Sequence, residues 1–271
     1  MNLQKLIGID GSMYILIDCF DKDIYELQNI KKNLSYFNKN ININGMILLE
    51  NSDQALFKTT LYNKDFSNCN LSGNALITLI NHLYNNNKII NNSFLIETDA
   101  GLKEIFLKTN LGLIESITIN LGKPSLTPRN IPVLCEKNIF INEEIIIGSE
   151  NLNATCISLC NPHTVIIDKH IDKFDLRCLG PKLEFNHIFP NRTNIEFTEN
   201  LTDKFIYSRI WERGNSEVSN CITGAGASVV ALTLNNKLKQ NNDIKVVTNG
   251  GIVNVNYRDN DDVYVTKKLI K

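Results

Sequence analysis

The chain has 271 residues, enough for one large apolar core or two domains of about 130 residues each. Its 28 basic and 29 acidic residues leave a net charge of -1, without the basic excess that a phosphate backbone demands, so nucleic acid is not an expected partner. The longest apolar runs, such as YILI (14–17) and EEIIIG (143–148), fall far short of the roughly 20 residues of a membrane span, so no membrane partner is expected either.

Taken in chain order, the opening MNLQKLIGIDGS carries a lysine and an early aspartate before any long apolar block and does not read as a signal peptide. A cytoplasmic setting is therefore expected, in which the seven cysteines stay reduced, their odd number arguing against a disulfide framework. Strand-like runs follow at MYILID (13–18), GMILLE (45–50), SFLIET (93–98), SITINLG (116–122), ATCISL (154–159), TVIID (164–168), TNIEF (193–197), DIKVVT (243–248), IVNVNY (252–257) and DVYVT (262–266). Their spacing and turn-rich flanks predict a mostly antiparallel or mixed sheet. Helical spacing is confined to about 22–34, 74–87, 169–175 and 224–239.

The second and fourth of these helices begin alike. NLSGNALITLINHL and NCITGAGASVVALTL each pass from an asparagine-rich turn through Gly and Ala into an apolar run, one in each strand-rich half. The repeated punctuation points to two domains of one build, separated by the proline-bearing LGKPSLTPRNIPV (121–133).

A helix N-terminus presents unpaired N–H groups and the positive end of the macrodipole, so two such ends facing each other would hold one carboxylate or phosphate from both sides. Cys221 leads the second of these turns, where a thiol is expected to have a lowered pKa, and it is the candidate base or nucleophile. Burial as a small apolar residue is the commoner fate of a free cysteine. Ser72 leads the first turn. Glu212 and Arg213, adjacent in IWERGNSEVSN, could read an ammonium and a carboxylate together, although adjacent opposite charges are most often a surface pair. Asn161, Pro162 and His163 are expected in a rigid turn between strands, with His163 as a structural hydrogen-bonding residue. Cys156, Cys160 and His163 lack a fourth ligand at metal spacing, so no metal is expected.

GSMYILID (11–18), YNKDFSNCNLSGNA (62–75), NPHTV (161–165), FPNRTNIEF (189–197), WERG (211–214) with NCITGA (220–225), and the later NGGIVNVNY and VYVT, in this order and spacing, resemble the diaminopimelate epimerase family of cofactor-independent amino-acid racemases and epimerases. The resemblance implies an α/β (α+β) fold of two pseudo-symmetric domains, each a curved mixed or antiparallel sheet wrapped round a central helix. The implied divisions are 1–122, with 262–271 returning to it, and 123–261. It also implies a small-molecule amino-acid substrate in the cleft between the domains, no cofactor, and a homodimer.

In that family two cysteines face opposite sides of the substrate α-carbon. One removes the proton as thiolate and the other returns a proton from behind. The resemblance places Cys221 at the second position and Ser72 at the first. It places Asn63, Asn161, Asn194 and Arg213 around the far amino-acid head, with Glu212 for its ammonium. Gly73 and Asn74, and Ile222 and Thr223, match the backbone donors to the reacting carboxylate. Ser12 stands where the family has an asparagine, and Ile222 where it has a glycine. The GNA turn and the pair Ser12-Met13 resemble the histidine racemase branch. Ser72 leaves three readings open: an engineered Cys→Ser exchange that traps substrate, a one-cysteine relative doing one-sided chemistry, and an amino-acid-binding protein.

Overall fold

A computed structural model describes residues 3–8, 11–33, 43–148 and 150–269. Residue 34, the expected end of the first helix, and residues 270–271 of the returning segment lie outside the described residues.

In the first half, β1 (Leu3–Ile7) pairs antiparallel with β2 (Met13–Asp18), α1 (Ile24–Asn33) follows, and β3 (Gly45–Glu50) lies parallel to β2. β4 (Lys58–Asn63) runs antiparallel to β3 and folds back through the two-residue β5 (Asn68–Cys69). Helix α2 (Gly73–Asn85) then leads to β6 (Ser93–Thr98), parallel to β4, and the hairpins of β7 (Gly101–Asn110) and β8 (Leu113–Asn120) complete the half.

After β9 (Glu143–Ile147) the same order recurs. β10 (Glu150–Leu159) is antiparallel to β11 (Asn161–Ile167), α3 (Leu176–Glu184) follows, and β12 (Asn194–Asn200) lies parallel to β11. β13 (Phe205–Trp211), the short β14 (Glu217–Val218), α4 (Ile222–Leu234), β15 (Asp243–Thr248), β16 (Gly251–Tyr257) and β17 (Val263–Lys268) repeat the series from β4 to β8. β17 pairs with β16 on one edge and β8 on the other, where the Thr118 and Thr266 hydroxyls lie 2.8 Å apart. The described strands thereby form one continuous sheet.

The two central helices tie the strands to one core. α4 touches β10, β11, β12, β13, β15, β16 and β17, and from Ile222 to Leu232 every residue of it is buried. Its glycines permit that approach. A Cβ at Gly226 would lie 2.9 Å from Leu159 Cδ2, and one at Gly224 would lie 2.7 Å from Glu196 Oε1. α2 buries Leu76, Leu79, Ile80 and Leu83 along one stripe at helical spacing, and the apolar cluster around it is continuous with that around α4. Burial of each such side chain contributes about 1.5–3 kcal/mol. Among the described residues no helix is long and apolar enough to cross a membrane.

Two local expectations are corrected. The helix expected at 169–175 is a single 3-10 turn, Ile171–Lys173, and the true helix α3 begins after Asp175, whose carboxylate caps the Arg177 N–H at 3.0 Å. Gly180 and Pro181 both lie within α3; a Cβ at Gly180 would strike the Trp211 ring at 2.2 Å, so glycine lets the helix lie against it. Asn161, Pro162 and His163 are not a turn but the start of β11. The chain reverses at Cys160, which adopts φ +65°.

Candidate active site

Ser72 and Cys221 are the N-cap residues of α2 and α4. Both have extended backbone, and each side chain accepts the third helical N–H: Ala75 N–H to Ser72 Oγ and Gly224 N–H to Cys221 Sγ, both at 3.4 Å. The first i→i−4 bonds are made by Leu76 and Ala225. The N–H groups of Gly73 and Asn74 on one helix, and of Ile222 and Thr223 on the other, precede those bonds and are the orphan donors of a helix start. The two starts abut, because a Cβ on Gly73 would lie 2.3 Å from Ile222 Cβ. Asn74 Nδ2 donates to Asn220 O at 2.9 Å and ties the turns together.

Between them lies a narrow cavity lined by Asn63, Cys69, Leu71, Ser72, Asn161, Asn194, Glu212, Arg213, Cys221 and Thr223. Ser12 and Asn74 line a neighbouring, more open cavity with Tyr14, Asn44 and Glu212. Gly73 and Ile222 form the contact between the helix ends and are not among the residues lining either cavity. Cys69 was not singled out from the sequence; it lies three residues before Ser72, in a two-residue strand too short for a periodic signal.

The amides are fixed by backbone. Asn161 Nδ2 donates to Leu71 O at 2.6 Å, while its Oδ1 is buried with no hydrogen-bond partner among the described residues. Asn194 donates to Pro162 O and accepts the Arg213 N–H, both at 2.9 Å. Asn63 donates to Ser67 Oγ at 2.9 Å, and Glu212 Oε2 accepts from Asn215 Nδ2 at 3.0 Å. A buried oxygen without a partner is costly.

Burial overturns the expected acidity of Cys221. Desolvation pushes its thiol up, the Glu212 carboxylate adds to the rise, and the Thr223 hydroxyl and Gly224 N–H only partly offset them. Cys69 is likewise pushed up to about 12 by burial and Glu212, against the Arg213 guanidinium. Both thiols are protonated in the free protein at neutral pH. A raised folded pKa contributes stability that is complete below the unfolded value of 9.0 and is lost as pH rises through about 12, a value shared by Cys156. Urea denaturation from about pH 8 to 11 should therefore show unfolding free energy falling above pH 9.0, by up to about 1.4 kcal/mol per pH unit per thiol. A flat profile would contradict this.

His163 makes the structural bond expected of it, Nδ1 lying 2.7 Å from Glu196 Oε1 with both side chains fully buried. Cys156 meets Thr164 Oγ1 and Cys160 Sγ donates to Leu121 O, so the three residues weighed as zinc ligands have three different partners.

A family model for diaminopimelate epimerase matches residues 155–269. Over 272 aligned residues the chain is 33% identical to the diaminopimelate epimerase of Acetivibrio thermocellus, covering 100% of this chain and 96% of that protein. The chain belongs to the diaminopimelate epimerase family. The Bacillus subtilis member is 35% identical over 265 residues, covering 97% of this chain and 93% of its own. In fold the chain is similar to a hydroxyproline epimerase from Agrobacterium vitis with bound trans-4-hydroxy-L-proline: the TM-score is 0.73 at 13% identity, covering 98% and 89% of the two chains. As a member of the diaminopimelate epimerase family the chain is an isomerase, with the sheet-rich α+β fold of these epimerases.

Proposed function

We propose that the chain inverts the α-carbon of diaminopimelate without a cofactor, with Cys221 working on one face and the Ser72 position on the other. The observation that carries this reading is the pair of facing helix caps over one cavity that also holds Asn63, Asn161, Asn194, Glu212 and Arg213. The α-carboxylate sits at the two abutting helix starts, beside Thr223, where the charge developing on deprotonation meets preorganised donors away from water. The Cys221 thiol first releases its proton to solvent; the thiolate then takes the α-proton, the electron pair delocalises into the carboxylate, and the group opposite returns a proton to the other face. Substrate binding assists thiolate formation, because an ammonium beside Glu212 offsets the carboxylate that raises Cys221.

Arg213 supports a two-headed substrate. Its guanidinium pairs with a second carboxylate, whereas the histidine ring, neutral or cationic, gains little from it. Ser72 supports a second reading, an amino-acid-binding or one-base relative, since a hydroxyl is a much poorer base than a thiolate. An engineered Cys→Ser exchange would account for the remainder of the site being intact. Calorimetry with LL- and meso-diaminopimelate, lanthionine and both histidine enantiomers tests the assignment. Saturable heat with the diaminopimelate pair is expected. Heat with histidine alone would transfer the reading to a histidine racemase, and tight binding with no deuterium exchange even in the Ser72→Cys form would leave only a binding protein.

A further inference from the structure

Outside the cavity a chain of polar contacts crosses from one half to the other, centred on Arg192. Its guanidinium lies 3.3 Å from Asp65 Oδ2, in the turn after β4, and 3.3 Å from Glu184 Oε1, at the end of α3. Arg192 itself holds φ +60°, a left-handed backbone that an arginine adopts only when its surroundings fix it.

Both carboxylates lead on to residues of the cavity wall. Glu184 is 2% exposed; its Oε1 accepts the Gly214 N–H at 2.9 Å and its Oε2 the Trp211 indole N–H at 2.8 Å, so it holds both ends of the turn that presents Glu212 and Arg213. Asp65 accepts from the Ser67 hydroxyl and N–H, and Ser67 Oγ in turn accepts from Asn63 Nδ2. Direct contact reinforces the link, for a Cβ on Gly214 would lie 2.8 Å from Asp65 Oδ2. Without the guanidinium, Asp65 and the buried Glu184 would face each other as like charges across the gap.

We infer that Arg192 is a positioning residue: by joining Asp65 to Glu184 it sets the distance between Asn63 and Arg213, and so selects amino acids that carry a second charged head. The inference rests on the two-headed substrate proposed above. It assigns a role in specificity to a residue that touches neither cavity.

The test uses the full chain with Arg192→Ala, Arg192→Lys and, from the exposed side of the link, Asp65→Asn. The readouts are kcat and KM for deuterium exchange into diaminopimelate, and Kd by calorimetry for diaminopimelate and for the single-headed 2-aminohexanoate. Arg192→Ala is expected to raise KM and Kd for diaminopimelate about tenfold or more while kcat changes less than about threefold. Arg192→Lys should recover part of the loss, Asp65→Asn should shift the same constants, and 2-aminohexanoate binding should not respond. Unchanged KM and Kd in Arg192→Ala, or equal losses for both amino acids, would overturn the inference and leave the proposed function standing. If Arg192→Ala does not fold, unchanged constants in Asp65→Asn would overturn it equally. A parent chain that neither binds nor exchanges any two-headed amino acid would remove the proposed function and this inference with it.

Discussion

Replacing Ser72 by cysteine is expected to raise deuterium incorporation at the substrate α-carbon by about 10²- to 10⁴-fold, the usual contribution of one positioned acid–base group. The turn already has the spacing that sulfur needs. Ser72 Oγ stands 3.4 Å from the Ala75 N–H, long for an oxygen acceptor and equal to the distance from Cys221 Sγ to Gly224 N. The exchange should therefore keep the cap and its extended backbone while supplying an ionisable group in place of a hydroxyl. The gain should show as solvent deuterium entering both enantiomers, followed by proton NMR of the recovered amino acid. Equal incorporation in the parent and Ser72→Cys proteins would remove the two-base reading.

Cys221→Ala carries the second large effect, at least about a 10³-fold loss of exchange in either form of the protein. Cys221 lines the same cavity as Ser72 and caps the opposed helix, so no other thiol occupies its position at the start of α4. The structural cost should be small by comparison. Losing one cap acceptor and one sulfur atom costs about 1 kcal/mol, and the first-turn N–H groups of Ile222 and Thr223 remain to hold the carboxylate. Calorimetry should accordingly find the Kd within about an order of magnitude of the parent value while exchange disappears. Exchange surviving at the parent rate would show that some other group takes the proton.

Much of this framework is legible in the amino-acid order, and the reasons differ by element. α2 and α4 announce themselves because a capping side chain precedes an apolar run in each, and that is also where Ser72 and Cys221 stand. β1 and β7 escape such reading. LQKLI turns almost all of its residues to solvent, and GLKEIFLKTN intersperses lysine and glutamate with its apolar residues in a way that a charged helix would share. α3 begins only after Asp175, downstream of the helix read at 169–175, and Gly180 lets it lie against Trp211. The acidity of Cys221 is hidden in the sequence for a different reason. A helix start is visible in sequence, but the dry surroundings that outweigh it come from distant strands. The contacts of Arg192 with Asp65 are hidden likewise, since no local pattern relates residues so far apart in the chain.

The pairing of β8 with β17 has a consequence for biosynthesis. As the polypeptide emerges from the ribosome, β8 is made with a whole repeat still to come, and its outer edge has unsatisfied amides until β17 arrives. The nascent first repeat thus passes through a stage with an open, pairing-competent border. Chaperone demand and aggregation during synthesis should concentrate in that interval and end when the closing strand docks.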